Sequence, residues 1–407
     1  MKICLVQSKS KSGNIQENIK NHLNLIKRAI EFKADLIIFP ELSVTGYEPP
    51  LANELASNMD DRIFVPFQTL ANENGISIGV GMPLRDPKGI KISVLIFQPN
   101  QKILVYSKQQ LHSDETPYFV NGNHQTILNI KGLKIGIGIC FETLQRNHFI
   151  NAQQQGMDIY IASVAKSQKG IDKAYSHFPN IAKEFSIPIL MSNCYGFCDN
   201  FETVGQSAVW NEKGILIGQL DDKHTGLIIY DSELAKITTY QPIIEKGKTN
   251  DLEALLQIYL NAKSKLIENG IHQWTDNYPT KTIIENDLKA GVLFQLKIDN
   301  EIIGAINLSE EQETEYQTIP WEFDDAKVLV IHRLVIDPKY QGKGHAHYLM
   351  DFAENYAISY GYKAIRLDTY SQNKQNIKFY QKRNYIVRGD VYFPGREFAF
   401  HCLEKEI

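Results

Sequence analysis

Residues 133–140, LKIGIGIC, form a short apolar run that reads as a β-strand delivering a cysteine at its carboxyl end. Two other runs finish on a reactive side chain: ADLIIFP (34–40) leads to Glu41, and KILVYS (102–107) leads to Lys108. KICLVQ (2–7), ISIGVGMP (76–83), KISVLIFQ (91–98), MDIYIAS (157–163), IPILMSN (187–193), QSAVWN (206–211) and HTGLIIY (224–230) also read as strands. Between them NIKNHLNLIKRAIEFK (18–33) and FVPFQTLANEN (64–74) space their apolar residues as helices do. Strand–helix–strand units mixed with consecutive strands predict an α/β domain, its mixed sheet covered by helices.

Outward from these strands, the whole chain has ordinary globular composition. Its 407 residues are 43% hydrophobic and 22% charged, with a formal net charge of −4. Length predicts two domains or three. The slightly acidic balance gives no reason to expect nucleic acid or an anionic membrane as partner. Neither a secretory signal nor an apolar stretch of the ~20 residues needed to cross a bilayer is visible, so a cytoplasmic protein is expected. Five sparse cysteines (Cys4, Cys140, Cys194, Cys198 and Cys402) do not form a disulfide framework. Cys194 and Cys198 are too far apart for a CxxC pair and lack a second Cys/His pair, so no metal is expected. The segment YQPIIEKGKTND (240–251) interrupts the pattern, and TNDLEALLQIYLNAK opens a new helix behind a capping residue. A boundary near 245 gives domains of 1–245 and 246–407, the second large enough for its own core.

Taken singly, Cys140 reads as a core residue, and Glu41 and Lys108 as solvated loop residues. Taken together they stand beyond strand carboxyl ends, where active groups of open α/β sheets gather. Here the sequence resembles the nitrilase (carbon–nitrogen hydrolase) superfamily over residues 1–235. IIFPELSVTGYEP is similar to that family's glutamate segment, VYSKQQLHSDETPYFVNG to its lysine segment and IGIGICFE to its cysteine segment. MSNCYGFCDNFETVGQSAVWNEKGILIGQL resembles its closing strands. The resemblance implies an α-β-β-α sandwich and amide hydrolysis through a thioester on Cys140. Glu41 would serve as proton carrier and Lys108 as oxyanion stabiliser, with Glu115 holding the lysine and the water. Leu144 and Ile181 replace arginines of the family pattern, which leaves the substrate open. Arg146, His148 and His177 are alternatives between substrate contacts and structural residues.

In the second part, VIHRLVIDPKY (330–340) runs into QGKGHAHYLMDFAENYAISYG, two glycines at a strand-to-helix turn. Alone this is a capped turn more often than an anion site. It is neither a Walker loop nor a dinucleotide fingerprint. The segment resembles the GNAT acetyltransferases over residues 248–407: Gln341, Gly342, Lys343, Gly344, His345 and Ala346 match the family's loop, and RLDTYSQNKQNIKFYQKRNY its later motif. That implies a GNAT-type α/β domain with a mixed sheet, and acetyl transfer from acetyl-CoA to an amine. The loop would hold the pyrophosphate, and the backbone of Leu334, Val335 and Ile336 would pair with the pantetheine arm. Asn373 would bind the cofactor and Tyr380 would protonate the departing thiolate. The base is unassigned, and Trp274, Tyr316 and Trp321 are candidates for the acceptor pocket or for the core.

The leading expectation is a bifunctional enzyme acting on small-molecule amides and amines, as a homodimer or larger homo-oligomer. In the alternative, the second domain binds acyl-CoA and regulates the hydrolase. A third option makes the first domain a glutaminase or an acyltransferase.

Overall fold

Successive residues of the strand Lys2–Gln7 enter two different cores, Ile3 and Leu5 one of them, Cys4 and Val6 the other. This is the period-2 alternation of a strand buried on both faces. The computed structural model describes residues 1–323 and 326–407, and it divides into two compact units, Met1–Gln241 and Pro242–Ile407.

In the first unit, described residues form two main sheets. One runs Lys236–Tyr240, Gly226–Asp231, Lys2–Gln7, Leu36–Ile38, Ser77–Asp86, Gly89–Phe97, Leu104–Ser107 in spatial order. The other runs Leu216–Gln219, Ala208–Trp210, Ile189–Asn193, Ile159–Val164, Leu133–Ile139, Ile127–Ile130. Ile3, Leu5, Ile38 and Val94 of the first sheet share one buried cluster with Ile135, Ile137, Ile161 and Leu190 of the second. The sheets therefore pack face to face. Helices Ile15–Glu31 and Val65–Asn74 cover the outer face of the first sheet through Ile19, Ile26, Phe67 and Ala71. Helices Arg146–Gln154 and Gln168–Phe185 cover the second through Phe149, Ala152, Ile171 and Phe178. The result is the expected α-β-β-α sandwich.

In the second unit one sheet runs Ile243–Lys246, Leu293–Ile298, Glu301–Ser309, Val328–Ile336, Ala364–Tyr370, Phe400–Glu406, Ile386–Val391. Only the Val328–Ile336 and Ala364–Tyr370 pair is parallel among these neighbours, so the sheet is mixed. Ile243–Lys246 belongs to this sheet because it pairs antiparallel with Leu293–Ile298, and the division between units consequently falls at Gln241–Pro242. Helices Leu252–Glu268, Lys281–Ala290, His345–Ser359 and Lys374–Gln381 complete the unit.

The parallel pairing extends only from Val328↔Ala364 to Ile331↔Leu367. Beyond it Val335 and Ile336 pair with Ala305 and Gly304 on one side, while Asp368 to Tyr370 pair with Cys402 to Phe400 on the other. A register shift opposite Ala305–Asn307 coincides with Arg333, whose φ is +52°. This bulge turns the strand away from its neighbour. The sheet splits there.

Candidate functional sites

Three strand ends of the first unit converge. Glu41 stands in the turn after Leu36–Ile38, and that turn lies directly on Gly81 of the adjacent strand. A Cβ at Gly81 would stand 2.3 Å from the Leu42 nitrogen and 2.6 Å from the Pro40 oxygen. The Gly81 N–H donates to Ser43 Oγ at 3.2 Å, and its carbonyl accepts from the Val44 N–H at 3.0 Å. Lys108 follows Leu104–Ser107, its backbone tied to Ile92 O at 2.8 Å and to the Gly122 N–H at 2.7 Å. Cys140 closes Leu133–Ile139 and begins a tight turn with φ of +43°, a conformation rare for a residue with a Cβ.

The turn is clamped by Glu142, which is fully buried. Its Oε1 accepts from the Ile139 N–H at 2.9 Å and from the Tyr106 hydroxyl, and its Oε2 from the Gln109 and Gln110 N–H groups at 2.6 and 3.1 Å. One carboxylate thus joins the residues after Lys108 to the turn of Cys140. The phenylalanine–acid pair after the cysteine was visible in the sequence. Its distant partners, Tyr106, Gln109 and Gln110, were not, because they lie more than thirty residues away in the chain.

Lys108 Nζ donates to Glu41 Oε1 at 2.8 Å and to Glu115 Oε1 at 2.6 Å, with all three side chains buried. Glu115 also accepts from the Tyr47 hydroxyl at 2.9 Å and from the His112 N–H at 2.7 Å. Glu41 Oε2 is buried with no hydrogen-bond partner among the described residues. Burial pushes the Glu41 carboxyl up to about 7, against the pull of Lys108 and with help from Glu115. Burial likewise lifts the Cys140 thiol to about 11, with Glu41 adding to the rise. Burial alone depresses Lys108, but Glu41, Glu115 and Cys140 more than reverse this and hold it charged. A neutral thiol therefore faces a carboxyl poised near neutrality, beside a fixed ammonium.

Arg146 is exposed and pairs with Glu184 on the neighbouring helix. His148 is buried, with its ring nitrogens on Tyr106 and Tyr160 at 2.7 and 3.0 Å. His148 is thus held within the buried network of Tyr106 and Tyr160. His177, on the helix Gln168–Phe185, is held below the ordinary histidine range by burial. Ile181 packs within the outer core of the second sheet, and Leu144 at its margin.

The second unit carries a cavity of about 390 Å³ at the sheet split. Arg333, Leu334, Asp368, Tyr380, Glu313 and Trp274 are among its walls. Tyr380 is buried, its hydroxyl without a hydrogen-bond partner among the described residues, and burial raises it far above the ordinary phenol range. Arg333 is neutralised by a bidentate pair with Asp287 at 2.9 Å and bonds the Tyr278 hydroxyl at 2.9 Å. Asp368 accepts from the Tyr316 hydroxyl at 2.7 Å, and burial lifts its carboxyl to about 6, with Glu313 contributing. Sequence reasoning missed Asp368 and Glu313, since an acid inside or between strands carries no motif. Trp321 belongs to the core, its Nε1 donating to Tyr316 O at 3.0 Å under the Arg366 guanidinium. Asn373 is buried as the N-cap of Lys374–Gln381, its Oδ1 on the Asn376 N–H at 3.1 Å and its amide on Gln273 at 3.0 Å. Its side chain sets the helix that carries Tyr380.

Gly342 and Gly344 take φ of +75° and +78° ahead of the helix His345–Ser359, and a Cβ at Gly342 would meet nothing within 4 Å. The loop is open where a helix N-terminus favours an anion. Among described residues, no group of His, Cys, Asp and Glu is arranged to hold a metal ion, and no helix is long and apolar enough to cross a membrane.

The carbon–nitrogen hydrolase family model matches residues 2–242, more than half of the sequence. The chain belongs to the carbon–nitrogen hydrolase family. The acetyltransferase (GNAT) family model matches residues 253–385, so a GNAT domain follows the hydrolase domain. The glutamine-dependent NAD(+) synthetase of Acinetobacter baylyi is 26% identical over 224 residues, which cover 52% of this chain and 40% of that protein. The chain thus spans about two fifths of the length of that relative. An uncharacterized N-acetyltransferase of Bacillus subtilis is 23% identical over 160 residues, 39% of this chain and 86% of that protein. Among solved structures, the amidase from Nesterenkonia sp. AN1 superposes with a TM-score of 0.53 at 23% identity, covering 57% of this chain and 92% of its own. This likeness is one of fold.

Proposed function

We propose that the chain is bifunctional, hydrolysing a small-molecule amide in the hydrolase domain and acetylating a small-molecule amine in the GNAT domain. The observation that carries the first half is Lys108 held between Glu41 and Glu115 while Cys140 occupies a positive-φ turn beside them. Glu41 takes the Cys140 thiol proton, and the sulfur attacks the amide carbon. The ammonium of Lys108, with backbone N–H groups after Cys140, meets the oxyanion. Glu41 then gives its proton to the departing nitrogen. A water deprotonated by Glu41 cleaves the thioester, releasing the acid and restoring the thiol.

In the GNAT domain, acetyl-CoA is the source of the activated acetyl group. The open Gly342–Gly344 loop suits its phosphates, and the strand edge freed at Leu334–Ile336 suits its amide-bearing arm. Asp368 accepts the proton of the acceptor ammonium, and Tyr380 holds a proton at its hydroxyl for the leaving sulfur. Two acidic side chains, Asp368 and Glu313, line the cavity, and Arg333 beside them is already paired with Asp287 while Arg396 also lines it; the acids beside the paired Arg333 favour a cationic acceptor there.

A mass-spectrometric screen of amides, glutamine included, and of amines with acetyl-CoA tests both halves. Ammonia release lost in Cys140→Ala and CoA release lost in Tyr380→Phe are the expected results. Ammonia release unchanged in Cys140→Ala refutes the first half. CoA binding without turnover by any amine favours the regulatory alternative for the second.

A further inference from the structure

A second buried lysine stands beside Cys140. Lys166 lies just beyond the strand Ile159–Val164, whose parallel neighbour Leu133–Ile139 ends at Cys140. Its backbone is fixed: its N–H donates to Asn193 Oδ1 at 2.8 Å, and its carbonyl accepts from the Val204 N–H at 3.2 Å and the Asn193 amide at 3.3 Å. The residue is 4% exposed, and Nζ makes one hydrogen bond among the described residues, to the Cys140 carbonyl oxygen at 3.2 Å. An ammonium has three donors. Burying it with one neutral acceptor is unfavourable unless charge nearby compensates.

The charges of the centre supply that compensation. Glu41 and Glu115 flank one cation, Lys108, so the triple carries one negative charge when Glu41 is ionised. Moving the Cys140 proton to Glu41 transfers this charge to sulfur without removing it. Lys166 brings the centre to neutrality in both states, and it sits on the cysteine's own carbonyl rather than on Glu41. It therefore favours the state in which sulfur holds the charge. Among the groups acting on the Cys140 thiol, Lys166 opposes the burial-driven rise more strongly than Lys108 does. Burial lowers Lys166 below the ordinary lysine range; Cys140 and Glu41 oppose that fall, Lys108 and Lys173 add to it, and Lys166 in turn depresses His177.

We propose that Lys166 is a positioning residue for the nucleophile, holding the Cys140 turn through its carbonyl oxygen and serving as counter-ion of the thiolate. The proposal rests on the reading of Cys140 as nucleophile, but its test needs no turnover, so a missing amide substrate leaves it intact. The full chain is treated with iodoacetamide across a pH series, and labelling of Cys140 is followed by peptide mapping. Lys166→Gln keeps a donor for the carbonyl and removes the charge, while Lys166→Arg restores the charge. In Lys166→Gln the labelling profile should move to higher pH by about one unit, a roughly tenfold slowing at a given pH below the midpoint, with Lys166→Arg close to the unaltered chain. A Lys166→Gln profile superimposed on that of the unaltered chain overturns the proposal. The unaltered chain gives a second reading that no folding defect can blur. The rate ratio of anionic iodoacetate to neutral iodoacetamide at Cys140 should exceed that of a free cysteine peptide, and a ratio no greater than the peptide's also overturns it.

Discussion

Glu41 holds one oxygen on Lys108 and keeps the other buried without a partner, and its carboxyl lies near 7 because burial outweighs the lysine. As a base it works only when ionised, so activity is present above this value and lost below it. Initial rates of amide hydrolysis should rise with pH through about 7. Glu41→Gln should abolish that limb and lower the rate by roughly 10²–10⁴-fold, the usual worth of a positioned proton carrier. Gly81 is the second decisive residue. A methyl group there would enter the backbone of the Glu41 turn at 2.3 Å, against backbone that cannot rotate away. Gly81→Ala should cost about 1–3 kcal/mol of stability, the range for overpacking. It should also depress turnover while leaving acetyl-CoA binding unchanged; calorimetry of unfolding and ligand binding checks both. Glu41, Lys108 and Cys140 were legible because each ends an apolar run inside a segment that resembles a carbon–nitrogen hydrolase motif. Lys166 obeys the same strand-end rule after Ile159–Val164, yet no pattern distinguishes a buried lysine from a solvated one at the start of a helix.

At the scale of elements, the split between Val328–Ile336 and Ala364–Tyr370 creates the GNAT cavity. Both strands were readable from their apolar runs. The bulge at Arg333 was not, since arginine has no special preference for positive φ; its pairing with Asp287 and Tyr278 and the Tyr259 hydroxyl on its carbonyl hold it there. The split exposes Asp368 to the cavity with its carboxyl raised to about 6. A proton acceptor must be ionised, so acetyl transfer should rise with pH through about 6 and lose this limb in Asp368→Asn, with a fall of about 10²-fold. A pH series of CoA release, with acetyl-CoA affinity measured alongside, separates this outcome from a collapsed cavity. Helix Gln168–Phe185 contains Pro179, which disfavours a helix interior. Its buried residues Ile171, Ala174, Phe178 and Ala182 nevertheless hold it to the sheet.

For the whole molecule, the buried clusters of residues 1–241 are distinct from those of residues 242–407. A chain of residues 1–241 should therefore fold cooperatively and keep amide hydrolysis, and residues 242–407 should bind acetyl-CoA alone. Thermal unfolding and activity of the two pieces check this. The sequence by itself determined the two-domain plan, the α/β class of each half and the strand ends that carry Glu41, Lys108 and Cys140. These rest on local periodicity and on motifs contiguous in the chain. Only the tertiary structure decided that Glu142 clamps two strands together, that Asp368 faces a cavity and that Lys166 is buried with Nζ on the Cys140 carbonyl oxygen. Burial and charge pairing between segments distant in sequence fix those roles, and no local pattern encodes which side chains lose their water.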